Sequence, residues 1–235
     1  MAKPQNLAFL ESVCPPAVRD RTYDALLTWL FHSEERTVAV CEQSAFYNVK
    51  KSIREIKEMP EQDKQAWREA VGKLIICCIE DMSMLNLSHR KGFDAWHRIT
   101  CEDICSISDK HNIPKWVSWM ENGFTTGLAQ IWLNMTLKNM LLMEQFDEQL
   151  DVCKKHLHVP VSGFILEAAS KDFGIKMIDK HGQFNLYSLA DTKPWSKWDY
   201  SEYIGFQEEI RNAADCPIDW EFNAWNKTRA NRENK

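Results

Sequence analysis

The stretch that most constrains the fold runs from Gly123 to Met143, Gly-Phe-Thr-Thr-Gly-Leu-Ala-Gln-Ile-Trp-Leu-Asn-Met-Thr-Leu-Lys-Asn-Met-Leu-Leu-Met. Thr125 or Thr126 can cap a helix start, and neither Gly nor Pro follows Gly127 within the stretch, so one long helix is expected. Leu128, Ile131, Trp132, Leu133, Met135, Leu137, Met140, Leu141 and Leu142 spread around the helical wheel instead of forming a stripe. That is the pattern of a helix buried in the middle of a domain.

On this apolar rod Gln130, Asn134 and Lys138 stand four residues apart and project as one narrow polar line. Burying an unpartnered amide costs roughly 2 to 7 kcal/mol on transfer scales, so the line implies internal partners, a wet cleft or a ligand. The cleft is the functional expectation, with His158, Glu221 and C-terminal tryptophans around it. The bland alternative is a wet surface edge, with the Lys138 ammonium reaching water.

A chain of 235 residues, 44% hydrophobic and 27% charged, with eight Gly and eight Pro, suits one mainly α domain with a single core. No apolar run reaches membrane-spanning length, and the start Met-Ala-Lys-Pro-Gln-Asn has no signal-peptide core, so a cytoplasmic protein without membrane contact is expected. Eight scattered cysteines without a CxxC pair read as reduced thiols, and neither metal nor cofactor is called for. A net charge of −5 excludes a basic coat for non-specific nucleic-acid binding but leaves room for a local basic groove. The ten tryptophans could fill core, anchor an interface or stack on bases.

Along the chain, Tyr23, Leu26, Leu27 and Leu30 mark a first helix. Thr37 to Ile56 reads as an amphipathic helix on Phe46, Val49, Ile53 and Ile56. A second reading, covering residues 1–60, is a helix-turn-helix with its turn near Gln43 and Ser44 and with Asn48, Lys50, Lys51 and Arg54 outward. Pro60 precedes a helix from Glu61 to about Leu87. His97, Cys101 and Cys105 then share one helical face, as packed core groups or, less simply, as metal ligands. Arg90 and His97 also have the spacing of the arginine and histidine of helical ribonucleases from toxin and defence systems.

Ser162 can cap a helix carrying Phe164, Ile165 and Ala168 inward, and Asp179-Lys-His-Gly182 signals a β-hairpin near residues 175–189. Asp179, Asp191 and Lys193, with Glu167 on the preceding helix, could in principle form a metal-nuclease site in which two carboxylates hold Mg²⁺ and the lysine steadies the attacking water, although a structural hairpin is the simpler reading. The chain closes with Trp195, Trp198, Tyr200, Tyr203 and Phe206, then Trp220 to Trp225 and a basic tail.

Gly127 to Lys138, His158-Val-Pro-Val-Ser162, Tyr203 with Gln207 and Arg211, and Trp220-Glu-Phe-Asn-Ala-Trp225 together resemble a family of small uncharacterised bacterial proteins over roughly residues 120–226. The chain departs from that pattern at Ile131, where the family has lysine, and at Ser162, where it has aspartate. The lysine-then-aspartate order is also similar to helix-hairpin-helix DNA glycosylases, in which the lysine attacks the sugar and the carboxylate steadies the cation. By that resemblance Lys138 is the catalytic candidate, Ser162 stands in the aspartate's place, and Gly123 and Gly127 are the nearest hairpin glycines.

The expected site is therefore Lys138 with Gln130, Asn134, His158, Ser162, Trp195, Trp198, Glu221 and Trp225. The leading function is a nucleic-acid-binding or nucleic-acid-processing protein of bacterial or mobile-element origin, in phage defence or DNA transactions. The alternatives are a non-enzymatic protein-binding factor (inhibitor, immunity or assembly subunit) and an Arg90/His97 ribonuclease.

Overall fold

The computed structural model describes residues 38–143, 150–179, 184–186 and 192–224. The architecture is mainly α: α1 (Val38–Ser52), α2 (Glu61–Glu80), α3 (Arg90–Lys110), α4 (Thr126–Met143), α5 (Gly163–Phe173), α6 (Tyr200–Ala213) and α7 (217–224). Between α5 and α6 a short hairpin pairs β1 (Met177–Ile178) antiparallel with β2 (Phe184–Leu186), in the register Met177 to Leu186 and Ile178 to Phe184. None of the described helices is long and apolar enough to cross a membrane.

The central helix lies where its all-round apolar pattern requires. Thr126 and Met135 apart, every residue of α4 is buried, and α1, α3 and α6 all pack directly on it while α2 closes against α1 and α3. Phe46 of α1, Trp67 of α2 and Trp132 of α4 meet at ring-centroid distances of 4.9 to 5.6 Å, so two large tryptophans fill the space where three helices converge. Each buried indole still needs an acceptor. Trp67 Nε1 donates to Ser108 Oγ at 2.9 Å, and Trp132 Nε1 donates to the buried carboxylate of Glu42 at 2.8 Å. Gly72 makes room for that carboxylate, because a Cβ there would approach it to 2.9 Å.

A second apolar cluster joins Val159, Val161, Ile165, Ile178, Trp198, Tyr203 and Phe206 beside the first. Trp195 packs against both clusters, and the 195–198 turn is stitched to the start of α4. Gly127 N–H donates to Trp198 O at 3.0 Å, and Thr125 Oγ1 donates to Ser196 O at 2.5 Å. A side chain at Gly127 would run into the Trp195 carbonyl oxygen, so glycine here reflects backbone-to-backbone contact.

Two sequence expectations are corrected. The helix-turn-helix has no turn at Gln43 and Ser44, because α1 runs unbroken through them. Ser44 and Ala45 are buried within the continuous helix, with no Gly or Pro to stop it. The helix expected to reach Leu87 ends at Glu80, and a 3₁₀ turn over Asp81–Met84 follows. The first expected helix around Tyr23, as well as Asp191 and Trp225, lies outside the described residues.

Gly127→Ala is expected to destabilise the chain by about 2 kcal/mol, within the overpacking range of roughly 1 to 3 kcal/mol. Gly163→Ala, where nothing lies within 4 Å of the added Cβ, is expected to leave stability unchanged or slightly raised. Thermal unfolding of the two variants side by side measures the difference.

Candidate functional site

The polar line of α4 faces a second one. On α6 Tyr203, Gln207 and Arg211 repeat the same four-residue spacing, and between the two helices passes the extended segment from His158 to Val161. That segment is buried without belonging to helix or sheet, so its peptide groups must find partners elsewhere. Glutamine side chains supply them. Gln207 accepts from Val159 N–H at 3.0 Å and donates to Val159 O at 2.8 Å. Gln130 accepts from Val161 N–H at 3.1 Å and donates to Val161 O at 3.2 Å. Each amide replaces one rung of a β-ladder.

The backbone bonds fix every proton beyond them. Val161 N–H can only donate, so Gln130 Oε1 faces it, and the same oxygen takes Asn134 Nδ2 at 3.0 Å. Asn134 Oδ1 is then turned to His97 Nε2 at 2.9 Å, which must carry a hydrogen. Asn134 Nδ2 also donates to Tyr203 Oη at 2.8 Å, and the phenol in turn donates to His158 Nδ1 at 2.8 Å. His158 Nε2–H ends the relay on Asp94 Oδ1 at 2.8 Å. Arg211 holds that carboxylate with both terminal nitrogens, at 3.0 and 2.6 Å, and donates to His156 O at 2.9 Å. The surface end is covered by Arg90, which bridges Asp94 and Glu208.

Electrostatics agree with this wiring. Burial is the main cause holding His97 well below the ordinary imidazole value, with His158 adding to it. Burial lowers His158 to about 4 against the opposing pull of Asp94. The Tyr203 phenol is pushed well up by burial, and bonds from His158 and Arg211 hold the Asp94 carboxyl far below the carboxylate range despite its partial burial. Both imidazoles are neutral, the phenol is protonated and Asp94 is ionised at pH 7. In residue type, Tyr203, His158 and Asp94 match a nucleophile, base and orienting acid. Tyr203 and the His158 side chain are sealed from solvent, however, so no substrate reaches them as the chain stands.

Two turns further along α4, Lys138 meets Glu221 of α7. Nζ donates to Oε1 at 2.8 Å and lies 2.6 Å from Oε2, with the Phe222 ring 4.8 Å away. Burial raises the Glu221 carboxyl, and Lys138 opposes that rise.

The expected cleft is thus corrected to a dry interior: Gln130, Asn134 and Lys138 are 0%, 1% and 4% exposed and tied to internal partners. The reason is that the line's partners come from the 158–161 segment and from α6 and α7. Gln130, Asn134 and His158 join one network, with the Lys138–Glu221 pair beside it. Ser162 caps α5, accepting from Ile165 N–H at 3.4 Å, and takes no part in the network. Trp195 and Trp198 support the start of α4, Trp198 donating to Lys193 O at 3.2 Å. His97 is fully buried with Cys101 Sγ 3.7 Å from Nδ1, while Arg90 lies on the surface, which removes the arrangement a ribonuclease needs. Of the Mg²⁺ constellation, Asp191 lies outside the described residues; Lys193 pairs with Glu202 and Glu167 with Lys171, and no group of three potential ligands forms among the described residues. Sequence reasoning missed Asp94 altogether. As a group, Tyr203, Gln207 and Arg211 entered the sequence reading only through the family resemblance, without partners.

Lys138→Ala is expected to cost about 3 to 5 kcal/mol, because it strands a buried carboxylate, whereas Lys138→Met combined with Glu221→Leu should return close to the starting stability in urea titrations. Nitrogen-15 spectra should show His97 and His158 as neutral Nε2–H tautomers at pH 7, with His158 gaining a proton only near about 4. Because an unfolded imidazole protonates at ~6.5, the two histidines should make stability fall as pH drops from ~6.5 towards 4, by about 1.4 kcal/mol per pH unit each. Glu42 and Glu221, raised by burial, contribute the opposite slope, so the imidazole titration itself decides: a His158 midpoint near 6.5 would contradict the wiring. These residues are interpreted on their chemistry alone, since comparison of the chain with protein-family models, curated proteins and solved structures gives no match.

Proposed function

We propose that the chain binds nucleic acid, and that it does so with the outer face of α1 instead of the polar line of α4. The observation that supports this reading is one exposed stripe. Gln43, Tyr47, Lys50 and Lys51 are all exposed, at a spacing that keeps them on one side of the helix, and the exposed Arg54 and Lys57 follow in the 3₁₀ turn after Ile53. Their opposite side, Val38, Cys41, Ala45 and Val49, is buried. The Lys51 ammonium stands 4.7 Å over the Tyr47 ring, joining a cation to the one large aromatic of the stripe. In a chain of net charge −5, residues 50–58 carry four cations, Lys50, Lys51, Arg54 and Lys57, against the two carboxylates of Glu55 and Glu58, which leaves a local positive excess.

Lys50 and Lys51 also suit the negative end of the α1 dipole, which accounts for two of the four charges on structural grounds. Arg54 and Lys57 follow the helix and are not explained that way. Glu61, bonded to Lys64 and within electrostatic reach of Lys50, marks the edge of the patch. Phosphate contacts from such a stripe give sequence-independent, salt-dependent binding, and the Gln43 amide offers hydrogen bonds to a base edge.

Fluorescence anisotropy with a labelled 20-base-pair duplex and its single strand, between 50 and 200 mM salt, tests this. Binding should weaken with salt, and K50E/K51E/R54E should lower affinity at least tenfold and flatten the salt slope by about three contacts, at ~0.9 each on a log–log plot for the duplex. Lys138→Met with Glu221→Leu should bind like the parent chain. Salt-independent binding, or a triple variant equal to the parent, would refute the reading.

A further inference from the structure

We infer that the groove between the end of α2 and the first half of α3 is a docking surface for a basic amphipathic helix of a protein partner. Its floor and walls are Cys78, Leu85, Leu87, Trp96 and Ile99, around a hollow of about 450 Å³. The apolar groups are not sealed: Leu85 is 45% and Ile99 54% exposed, and Met84, next to Leu85, is 78% exposed. Single exposed apolar residues are ordinary, but two large ones lining one hollow, with a third adjacent in the chain, form a patch.

Charge identifies the occupant. Among the described residues, Asp81 is the one charged side chain lining the hollow. Asp103 follows Trp96 and Ile99 on the same face of α3, at i+7 and i+4, so it stands at the end of that wall. The Cys78 thiol at this groove, raised first by its burial, is raised further by the carboxylates of Asp103 and Asp81. An apolar trough flanked by carboxylates complements a helix with apolar anchors at i, i+3, i+4 and i+7 and lysines or arginines beside them. The same acids disfavour an anionic membrane surface and a phosphate backbone. The groove is built from α2, α3 and the 81–87 connection between them, so the inference does not depend on the α1 stripe.

Three fluorescein-labelled 18-residue helical peptides sharing one leucine stripe, with polar faces of lysine, glutamate or glutamine, serve as probes in anisotropy titrations of the full chain. The lysine peptide should bind at least tenfold more tightly than the glutamate peptide. D81K/D103K should invert that order, and Ile99→Asp, at an exposed position, should abolish binding of the lysine peptide. K50E/K51E/R54E should leave it unchanged, which separates failure here from failure of the nucleic-acid reading. Equal binding of all three peptides, or a charge preference unmoved in D81K/D103K, would overturn the assignment. So would Ile99-dependent binding to vesicles containing phosphatidylserine without peptide binding.

Discussion

The interior depends on one backbone requirement: the extended segment around Pro160 is buried with no neighbouring strand among the described residues, and its amides must still be paired. An unmet buried amide costs about 1 to 3 kcal/mol, enough to push the segment to the surface. Gln130 and Gln207 remove that cost, each serving both the N–H and the C=O of one valine. Because these bonds orient the Gln130 amide, they also orient Asn134, then Tyr203, then His158. A donor whose direction cannot change thus sets the direction of a chain of side chains ending at Asp94.

Much of this was legible before any coordinate. The burial of α4 follows from its apolar circumference, and the Ser162 cap follows from residue type and position. The polar line at Gln130, Asn134 and Lys138 was also legible as an anomaly needing partners. Its resolution was not, because a helix facing a wet cleft and a helix facing another polar line carry the same residues. Deciding between them takes knowledge that His158 and Tyr203 return to Asn134, and that Glu221 returns to Lys138 across 83 positions. No periodicity encodes such a pairing. Asp94 illustrates the same limit: on its own helix it is an ordinary acid beside Arg90, and only the approach of α6 makes it the terminus of the network.

The tryptophans divide by the same logic. Trp67, Trp132 and Trp198 are among the largest fully buried side chains, and each indole donates to an acceptor inside the protein. These three are structural fillers whose N–H groups have been accommodated, so they offer no stacking surface. Buried indoles also explain why two acidic or polar groups, Glu42 and Ser108, sit in an otherwise apolar core.

The bonds that tie Tyr203 and His158 into the interior bear on where any activity can lie. Opening Tyr203 or His158 to a substrate would break bonds at both ends of the relay, each buried donor or acceptor left behind adding its own penalty. Binding at the surface requires no such loss. The exposed α1 stripe is cationic, whereas the α2–α3 groove is apolar and flanked by acids, so the two patches differ in the charge they would favour. In a protein whose net charge is only −5, segregation of sign between faces separates partners more sharply than total charge can. The dry network then serves the surface by holding α3, α4 and α6 in one fixed arrangement, since α3 forms a wall of that groove and α1 packs along α4. Rigidity below the surface lowers the ordering cost of contacts made above it.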